Sequence, residues 1–333
     1  MKILWITHRR ETEMSSTSRR GISMALKAQG CDVKFMSPDG DYPVERSNQL
    51  GKGHRSFSRS VAAKLSSMDL QLFSVAIVEW TGVDGASTAL ESAEVPWVIM
   101  DRSPPVSRGI VGYFQRRQYA NAWDLAREKS AGRVVKSVHM ADSQTWNGLS
   151  VIVPAGVDVD AFETAMMNES PIVVCHGSLD RSRELHRLTK MDVDLLLFGE
   201  GNDSQRLSKL TAIGDVGNVA EKLASADVGV LHLPNREVWK HASPLKVAEY
   251  AAAGLPVVAS EVSGLERYRD EDWIQLIPLG DDVACKTALQ KMCELSIEER
   301  KRLGTMARAE AERSMTWTQC TESLYSMLLE VTR

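Results

Sequence analysis

The chain has 333 residues, too many for one ordinary hydrophobic core and suited to two domains of about 150 residues each. Its 43% hydrophobic and 25% charged residues are typical of a globular protein and exclude collagen-like and intrinsically disordered classes. The net charge of −4 is uneven: residues 1–155 carry 20 Lys and Arg against 15 Asp and Glu, and the remainder carries 20 against 29. The basic first half fits an anionic partner, such as a phospholipid surface or a phosphate-bearing acceptor, and equally an ordinary solvated surface.

Short apolar runs recur along the chain between helix-like stretches, and runs of this kind are typical of parallel strands buried on both faces. In chain order they are Ile3–Thr7, Val33–Ser37, Val75–Trp80, Trp97–Asp101, Val151–Pro154, Ile172–His176, Val193–Phe198, Val228–Leu233, Pro256–Ser260 and Trp273–Pro278. Between the first two, helical spacing over Ser18–Gly30 predicts a helix that ends at its glycine. The alternation predicts an α/β protein with two Rossmann-like, doubly wound parallel-sheet domains.

The predicted boundary between the domains follows the fifth run, where Pro154–Asp160 has the composition of a turn. We therefore expect an N-terminal domain over 1–155, a linker over 156–170 and a C-terminal domain over 171–333. An amphipathic final helix is expected over Ser314–Val331, and its apolar face should pack against the rest of the protein. One option is that it packs on the N-terminal domain. Ligands of such sheets bind beyond the carboxyl ends of the strands, so the site is expected in a cleft between two facing domains.

Targeting and cysteine signals are weak. No run of about 18 apolar residues occurs, and the apolar part of Met1–Thr7 is too short for a signal peptide. We expect a cytoplasmic protein, with the basic half allowing peripheral contact at the inner membrane face, and no nucleic-acid partner. The five cysteines are scattered without a C-x-x-C spacing, which predicts neither a disulfide framework nor a zinc site.

The segment with the clearest chemistry is His241–Ser260, where Ser243 and Pro244 have the residue types of a helix N-cap and first helical position. The predicted helix runs to Gly254. Its first turn carries Lys246, a cation at the positive end of the helix dipole, which is unfavourable unless an anion binds there. The pattern predicts an anion site.

Glu249 follows Lys246 by one helical turn and lies on the same face. A carboxylate in that position can accept hydrogen bonds from a ribose diol. The alternative is a solvated surface pair between these two side chains, which would carry no function.

This segment resembles the donor-site motif of retaining GT-B glycosyltransferases, specifically glycosyltransferase family 4. The matching residues are Ser243, Pro244, Leu245, Lys246, Glu249, Tyr250, Ala252, Gly254, Pro256, Val257, Val258 and Ala259. Four other segments resemble the family in the same order: Val151–Phe162, Val174–Asp180, Phe198–Gly201 and Ala224–Leu231. The resemblance covers residues 150–331 well and the first half only in outline. It implies a GT-B fold and transfer of a hexosyl unit from a nucleoside diphosphate sugar to an acceptor hydroxyl with retention.

Residue roles follow from the resemblance at matching positions. It implies that Lys246 and a basic residue after the Gly177-Ser178 loop, Arg183 or Arg181, neutralise the donor diphosphate. Glu249 would bind the ribose, and the backbone at Ser243, Pro244 and Leu245 would contact phosphate or sugar. Gly199, Glu200 and Val219 would lie near the base. No metal or cofactor is expected beyond the sugar nucleotide, because two cations and a helix N-terminus supply the positive charge. The Asp158/Asp160 and Asp192/Asp194 pairs are interpreted as structural.

One position departs from the family pattern. The acidic residue expected eight positions before Glu249, close to the transferred sugar, is replaced by His241. A histidine can still donate to a sugar hydroxyl or a phosphate, so it stays a candidate catalytic residue. The departure leaves open a nucleotide-sugar-binding partner subunit without transfer activity, and a sugar-nucleotide epimerase of the same fold.

The acceptor half offers fewer signals. His8 and Arg9 follow the first predicted strand, and the family's glycine-rich loop is replaced by Glu11–Ser18. Asp101 and Arg102 follow the fourth, where the family often has a residue facing the sugar. We interpret Asp101 as a candidate catalytic group that orients a hydroxyl, and His8, Arg9 and Arg102 as candidates for binding the acceptor. The alternative for Asp101 is a cap on the turn that follows it.

A basic and aromatic stretch occupies the end of this half. Its members are Arg108, Arg116, Arg117, Arg127, Lys129, Arg133 and Lys136, interleaved with Tyr113, Phe114, Tyr119 and Trp123. Two interpretations stay open: an amphipathic helix with a solvated face, and contact with a lipid-linked acceptor at a membrane surface. The acceptor is therefore predicted only as a free or lipid-linked glycan.

Overall fold

The computed structural model describes residues 1–13, 16–47, 53–105, 107, 109–214 and 217–333. It divides into two compact units. The first comprises Met1–Pro154 and Cys320–Arg333, and the second comprises Ala155–Gln319. Each unit contains one six-stranded sheet, and every strand pair in both sheets is parallel.

The strands of the first unit are β1 (Lys2–Ile6), β2 (Asp32–Met36), β3 (Val75–Glu79), β4 (Trp97–Asp101), β5 (Gly132–Val135) and β6 (Leu149–Ile152). Their order across the sheet is β2-β1-β3-β4-β5-β6. The central strands β3, β4 and β5 are buried along their whole length, as expected for a sheet covered on both faces. The chain continues from β1 to β2 on one side of the sheet and from β3 to β6 on the other, so the strand order reverses between β1 and β3. The topological switch point, where ligands of such sheets bind, therefore lies at the carboxyl ends of β1 and β3.

The helices of the first unit are α1 (Thr17–Ala28), α2 (Gly53–Leu65), α3 (Val83–Ser92), α4 (Gly109–Lys129) and α5 (Val138–Asp142), with a 3-10 turn at Leu70–Leu72. Its core includes Phe57, Val61, Trp97 and Trp123, which are almost fully buried. Of the predicted loop Glu11–Ser18, Met14 and Ser15 lie outside the described residues.

The strands of the second unit are β7 (Ile172–Ser178), β8 (Asp194–Glu200), β9 (Ile213–Gly214), β10 (Val228–Leu231), β11 (Val257–Ser260) and β12 (Ile274–Ile277). Their order is β12-β11-β10-β7-β8-β9. This order reverses between β7 and β10. The switch point of the second sheet therefore lies beyond the carboxyl ends of these two strands.

The helices of the second unit are α6 (Ser204–Leu207), α7 (Val219–Ala224), α8 (Glu237–Lys240), α9 (Leu245–Ala252), α10 (Asp282–Glu294) and α11 (Ile297–Ser314). Its 3-10 turns are Val159–Ala161, Arg181–Arg183, Leu185–Lys190 and Glu266–Tyr268. Helix α9 buries Val247, Tyr250 and Ala251 against the sheet, and this burial holds its first turn near the switch point.

All ten predicted strands are present, and no strand end differs from the prediction by more than two residues. Strands β5 and β9 were not predicted. In β5 the apolar run is interrupted by Arg133, whose side chain donates to Ser150 Oγ and the carbonyl of Gln144 and stacks on Trp146. A buried arginine with such tertiary partners gives no strand signal in the local sequence, and β9 has only two residues.

Residues 156–170, predicted as a linker, pack into the second unit. Val157, Val159 and Ala165 belong to its core, and the amide of Val157 donates to the carbonyl of Met315. The final helix begins later than predicted: α12 spans Trp317–Val331. From Cys320 onward it belongs to the first unit, where Ser323 Oγ donates to the carbonyl of Ile152.

Candidate functional site

Two glycines lie at the carboxyl ends of neighbouring strands in the second sheet. Gly177 in β7 pairs with Gly199 in β8, and both have positive φ angles, +104° and +143°. A Cβ atom on Gly199 would lie 1.9 Å from the carbonyl oxygen of Gly177, and one on Gly177 would lie 2.7 Å from Nζ of Lys246. Glycine at position 199 allows the close approach of the β7 backbone, and glycine at position 177 leaves room for the lysine.

Helix α9 begins one residue later than predicted. Pro244 is the N-cap and the first helical residue is Leu245, without a side-chain cap. The expected cap, Ser243, instead accepts a hydrogen bond from the amide of Ala155 at 2.8 Å. The N-cap assignment of Ser243 was therefore wrong, because a tertiary contact takes its hydroxyl. The amides of the first turn of α9 are left without a side-chain acceptor, which strengthens the anion-binding character of this end.

Lys246 is half-buried in this first turn. Burial, and then the charge of Arg183, lower the pKa of its ammonium group to about 8. Across the part of the chain that the structure describes, no carboxylate lies within 4 Å of Nζ and no acceptor is hydrogen bonded to it. A half-buried cation without a partner is unfavourable, and an anion would remove the penalty.

Arg183 is the second cation of this site, and the structure separates it from Arg181. The guanidinium of Arg183 lies 4.4 Å from the ring centre of Trp239, and burial lowers the pKa of Arg183. Like Lys246, it makes no ion pair with any described residue. Arg181 is 74% exposed and lies 3.4 Å from the buried carboxylate of Asp203. Of the two predicted alternatives, Arg183 shares the electrostatic environment of Lys246.

Glu249 faces a histidine that the sequence analysis did not single out. Nε2 of His176 lies 3.3 Å from a carboxylate oxygen of Glu249, and the imidazole stacks on Phe198 with ring centres 5.2 Å apart. Burial alone would raise the pKa of Glu249, but the adjacent His176 and the charge of Lys246 outweigh it and lower that pKa. The carboxylate is therefore ionised and held in position. Glu249 is not a solvated partner of Lys246, since its side chain is only 19% exposed.

We use the name Lys246 cluster for His176, Gly177, Arg183, Lys246 and Glu249. Its members come from β7, from the turn after β7, and from α9, and the two sheet-derived residues His176 and Gly177 are adjacent in sequence. Ser178, next in β7, donates its hydroxyl to Asp180. The cluster combines two unpaired cations with one buried carboxylate at a single switch point.

Two other predicted donor-site residues, Glu200 and Val219, lie on β8 and α7. Glu200 is exposed at the end of β8 beside Gly199. Val219 opens α7 and packs on the core, and the Asn218 side chain caps that helix by accepting from the amides of Ala220 and Glu221.

His241 follows α8 directly and is half-buried. The loop after it is held by Gly264, whose amide donates to the carbonyl of Ala242 at 3.0 Å. A Cβ atom on Gly264 would lie 2.6 Å from that carbonyl oxygen and from Cα of Ser243. The close packing fixes the path of the chain into α9, and the glycine is a supporting residue that the sequence analysis missed.

In the first unit, His8 lies at the switch point between β1 and β3. Its Nδ1 is 2.9 Å from Oγ1 of Thr81, and the ring is almost fully buried. Burial, then the charge of Arg9, lower the pKa of His8 well below its ordinary value, so the ring is neutral. Arg9 is half-buried and lies 3.5 Å from Glu13.

Asp101 is completely buried at the end of β4. One carboxylate oxygen accepts hydrogen bonds from the Tyr119 hydroxyl and the Trp123 indole, and the other accepts from the amide of Ser103. Burial raises the pKa of Asp101 to about 6 against the opposing effect of these donors. These contacts match the turn-cap alternative. The adjacent Arg102 donates to the carbonyls of Val153 and Pro154, which closes the end of β6.

Comparison with known proteins bears on the second unit in particular. Residues 171–294 match a family model described as glycosyl transferases group 1. No curated protein sequence matches the chain.

Solved structures match the chain over nearly its whole length. Sucrose-phosphate synthase from Thermosynechococcus elongatus is 17% identical with a TM-score of 0.72, covering 99% of this chain and 96% of that one. HepE of Anabaena, in complex with UDP and glucose, is 14% identical with a TM-score of 0.76, covering 99% and 100%. WaaG, a glycosyltransferase involved in lipopolysaccharide biosynthesis, is 16% identical with a TM-score of 0.70, covering 99% and 98%. The likeness confirms the predicted GT-B fold class with two parallel sheets.

Over the described ranges, no helix is both long enough and apolar enough to cross a bilayer.

Proposed function

We propose that this protein is a glycosyltransferase that moves a hexosyl unit from a nucleoside diphosphate sugar to an acceptor hydroxyl, with retention at the anomeric carbon. The observation that carries the proposal is the proximity of two half-buried cations at the N-terminus of α9: the charge of Arg183 lowers the pKa of Lys246, and neither residue makes an ion pair with a described residue. A diphosphate supplies the missing negative charge. The family match over 171–294 and the HepE complex with UDP-glucose support a sugar nucleotide as the source of that diphosphate.

The positive charges that bind the diphosphate would also assist the transfer reaction. During transfer the bond between the anomeric carbon and the diphosphate oxygen breaks, and its electron pair remains on the departing diphosphate. The acceptor oxygen bonds to the anomeric carbon, and its proton leaves to the diphosphate or to solvent. Lys246, Arg183 and the free amides of α9 stabilise the charge that develops on the leaving group. Because the protein itself supplies this positive charge, we propose that no metal ion is required.

The nucleoside would be held by the remainder of the site. Glu249, ionised and fixed by His176, is placed one helical turn from Lys246 and would accept hydrogen bonds from the ribose diol. The strand end at Gly199 and Glu200 and the start of α7 at Val219 would lie near the base. Retention through a same-face path is proposed from the family resemblance.

A second candidate function is favoured by His241. The histidine stands where the family pattern has an acidic residue near the transferred sugar, so the protein would bind a sugar nucleotide without transferring it. An epimerase, the third possibility, would release a new sugar nucleotide without any acceptor.

Turnover of sugar nucleotides by the purified protein tests the proposal. UDP-, GDP- and ADP-linked hexoses are incubated with and without a panel of free and lipid-linked glycans, and nucleoside diphosphate release is measured. We expect release that rises with an acceptor, and a product whose anomeric configuration by NMR matches that of the donor. Binding without release in every combination would establish the binding-subunit alternative, and a new donor epimer would establish the epimerase.

We also propose peripheral contact between α4 and an anionic membrane surface. Ile110, Tyr113 and Phe114 are 78%, 57% and 47% exposed, and Arg116 and Arg117 follow on the same helix. Arg108, predicted as part of this stretch, lies outside the described residues. Exposed apolar and basic side chains together favour the surface of an anionic bilayer. Sedimentation with phosphatidylglycerol vesicles at low salt, but not with phosphatidylcholine vesicles, is expected; equal sedimentation, or none, would contradict this proposal.

A further inference from the structure

Trp239 of α8 lies against the second cation of the Lys246 cluster. Its ring centre is 4.4 Å from the guanidinium of Arg183, within the distance of about 6 Å at which an aromatic face attracts a cation. Among aromatic side chains, tryptophan provides the strongest attraction of this kind. The contact joins α8 to the turn after β7, two segments that are far apart in the sequence.

Arg183 lies close enough to another cation for the two charges to repel. Its charge lowers the pKa of Lys246, and within the described ranges no carboxylate forms an ion pair with its guanidinium. Repulsion and side-chain entropy both favour an arginine that turns away from the lysine into solvent. An attractive partner is therefore needed to keep both positive charges at one site before an anion binds.

Arg181 shows the other way in which this turn holds a cation. Its guanidinium lies 3.4 Å from the buried carboxylate of Asp203, so a negative charge offsets its positive charge. An acidic partner on Arg183 would likewise compete with a bound diphosphate for the guanidinium. The ring of Trp239 carries no net charge, and it leaves the positive charge of Arg183 available to an anion.

The position of Trp239 is fixed by its backbone and by its packing. Its amide donates to the carbonyl of Arg236 at 2.9 Å, and its carbonyl accepts from the amide of Ala242 at 2.9 Å. The side chain packs on the core of the second unit. Because both its backbone and its ring are held, Trp239 can restrain the more flexible side chain of Arg183.

The indole N–H of Trp239 has no hydrogen-bond acceptor among the residues that the structure describes. The side chain therefore contributes to the site through its ring face and its packing. A phenylalanine would keep an aromatic face at this position, whereas a leucine would keep apolar bulk without one. These two substitutions separate the effect of the ring face from the effect of packing.

We propose that Trp239 is a positioning residue of the nucleotide-sugar site, and that its ring face holds Arg183 beside Lys246 without neutralising it. This role rests on the proposed function, because the diphosphate of the sugar nucleotide is the anion that the two cations bind. Trp239 acts through Arg183 and makes no contact of its own with the diphosphate.

Calorimetric titration of UDP and of pyrophosphate against the purified protein tests this role. Trp239→Leu should weaken the binding of both ligands by about 3- to 30-fold, the change in affinity that corresponds to one cation–aromatic contact. The factor should be the same for both ligands, because Arg183 acts on the diphosphate that they share. If UDP alone loses affinity, the ring contacts the base or the ribose, and the positioning role is overturned.

Two further variants assign the effect to the contact with Arg183. Trp239→Phe should bind UDP more tightly than Trp239→Leu, because it retains an aromatic face. In an Arg183→Ala background, Trp239→Leu should change the affinity for UDP by no more than about twofold, since no guanidinium is left to position. Equal losses in the Phe and Leu variants, or an undiminished loss in the Arg183→Ala background, would overturn the proposal.

Tyr268→Leu is the matched control. Tyr268 lies in the second unit outside the Lys246 cluster, and its ring centre is 4.6 Å from the guanidinium of Arg267. The substitution removes a contact of the same kind, and it should leave UDP binding as in the wild type. Denaturant titration establishes that each variant is folded. An equal loss of affinity in Tyr268→Leu and Trp239→Leu would trace the effect to the general packing of the unit and contradict the proposal.

The wild type separates this proposal from the proposed function. If the wild type binds UDP and pyrophosphate, and Trp239→Leu binds them equally well, the positioning role fails and the proposed function stands. If the wild type binds neither ligand, the proposed function fails as well.

Discussion

A Cβ atom placed on Gly177 would lie 2.7 Å from Nζ and 2.8 Å from Cε of Lys246. The end of β7 thus leaves the space that the lysine occupies, and Gly177→Ala should displace the ammonium group from the anion site. The substitution also places a side chain at φ +104°, which costs about 1–2 kcal/mol in stability. We expect UDP binding by calorimetry to weaken at least tenfold.

Gly30→Ala is the matched control for this prediction. Gly30 has a φ of +80° and open space around its Cβ position, so the substitution brings comparable backbone strain without a steric contact. It should destabilise the first unit and leave UDP binding unchanged. If Gly177→Ala binds UDP as the wild type does, the close approach of Gly177 and Lys246 has no role in binding.

Nucleotide binding should depend on pH through Lys246. The ammonium group has a pKa of about 8 because of burial and the charge of Arg183, and only its protonated form attracts the diphosphate. The affinity for UDP should therefore fall about tenfold between pH 7 and pH 9, where the terminal phosphate of UDP is already ionised, since binding takes up a proton in that interval. Calorimetry in buffers of different ionisation enthalpy measures that uptake. An affinity that is flat, or rises, over this range would contradict the assignment.

Glu249→Gln should separate the ribose contact from the phosphate contact. Loss of a charged acceptor should weaken UDP binding by about 1.5–3 kcal/mol, or roughly 10- to 150-fold. Pyrophosphate, which has no ribose, should bind equally well or more tightly, because the substitution removes a negative charge near Lys246. The two ligands are compared by competition with a fluorescent nucleotide. Equal weakening of both would show that Glu249 only supports the fold of the site.

Asp101→Asn distinguishes the turn cap from a catalytic group. The folded-state pKa of about 6 exceeds the ordinary 3.8, so the folded protein holds an extra proton between these values. This contribution to the free energy of unfolding is full below pH 3.8 and is lost as pH rises through 6. Denaturant titrations from pH 4 to pH 7 should show this decrease in the free energy of unfolding for the wild type. In the Asn variant, the decrease due to this group should be absent.

Turnover gives the second readout for Asp101. A turn cap predicts that the Asn variant keeps most of its donor turnover, whereas removal of a general base typically costs about 10²–10⁴-fold in rate. A loss of that size without a change in the free energy of unfolding would establish the catalytic role.

The sequence predicted the alternating architecture because both sheets are parallel, and their buried strands read as continuous apolar runs. It also predicted Lys246 and Glu249, because a cation in a first helical turn and a carboxylate one turn later are local features. The missing strand β5 shows the limit of this approach. Its buried Arg133 is stabilised by Ser150, Gln144 and Trp146, which are distant enough in sequence that no local pattern reveals them.

The partners of the site residues could not be predicted for the same reason. His176 of β7 contacts Glu249 of α9, Trp239 of α8 lies against Arg183 from the turn after β7, and Ser243 accepts a hydrogen bond from the amide of Ala155. Each contact depends on how elements far apart in sequence meet at the switch point. The pairing of Arg181 with the buried carboxylate of Asp203, which distinguishes it from Arg183, likewise depends on a contact outside the local sequence.

Calorimetric titration of UDP against the wild type, Lys246→Ala and Lys240→Ala measures what Lys246 contributes to nucleotide binding. Lys240 is a matched control, because it is an exposed lysine on α8 paired with Glu237 in the same unit. We predict that Lys246→Ala loses about 1.5–3 kcal/mol of binding free energy, roughly 10- to 150-fold in affinity, while Lys240→Ala binds like the wild type. Equal affinities of all three proteins, or a wild type that binds no nucleoside diphosphate, would contradict the account.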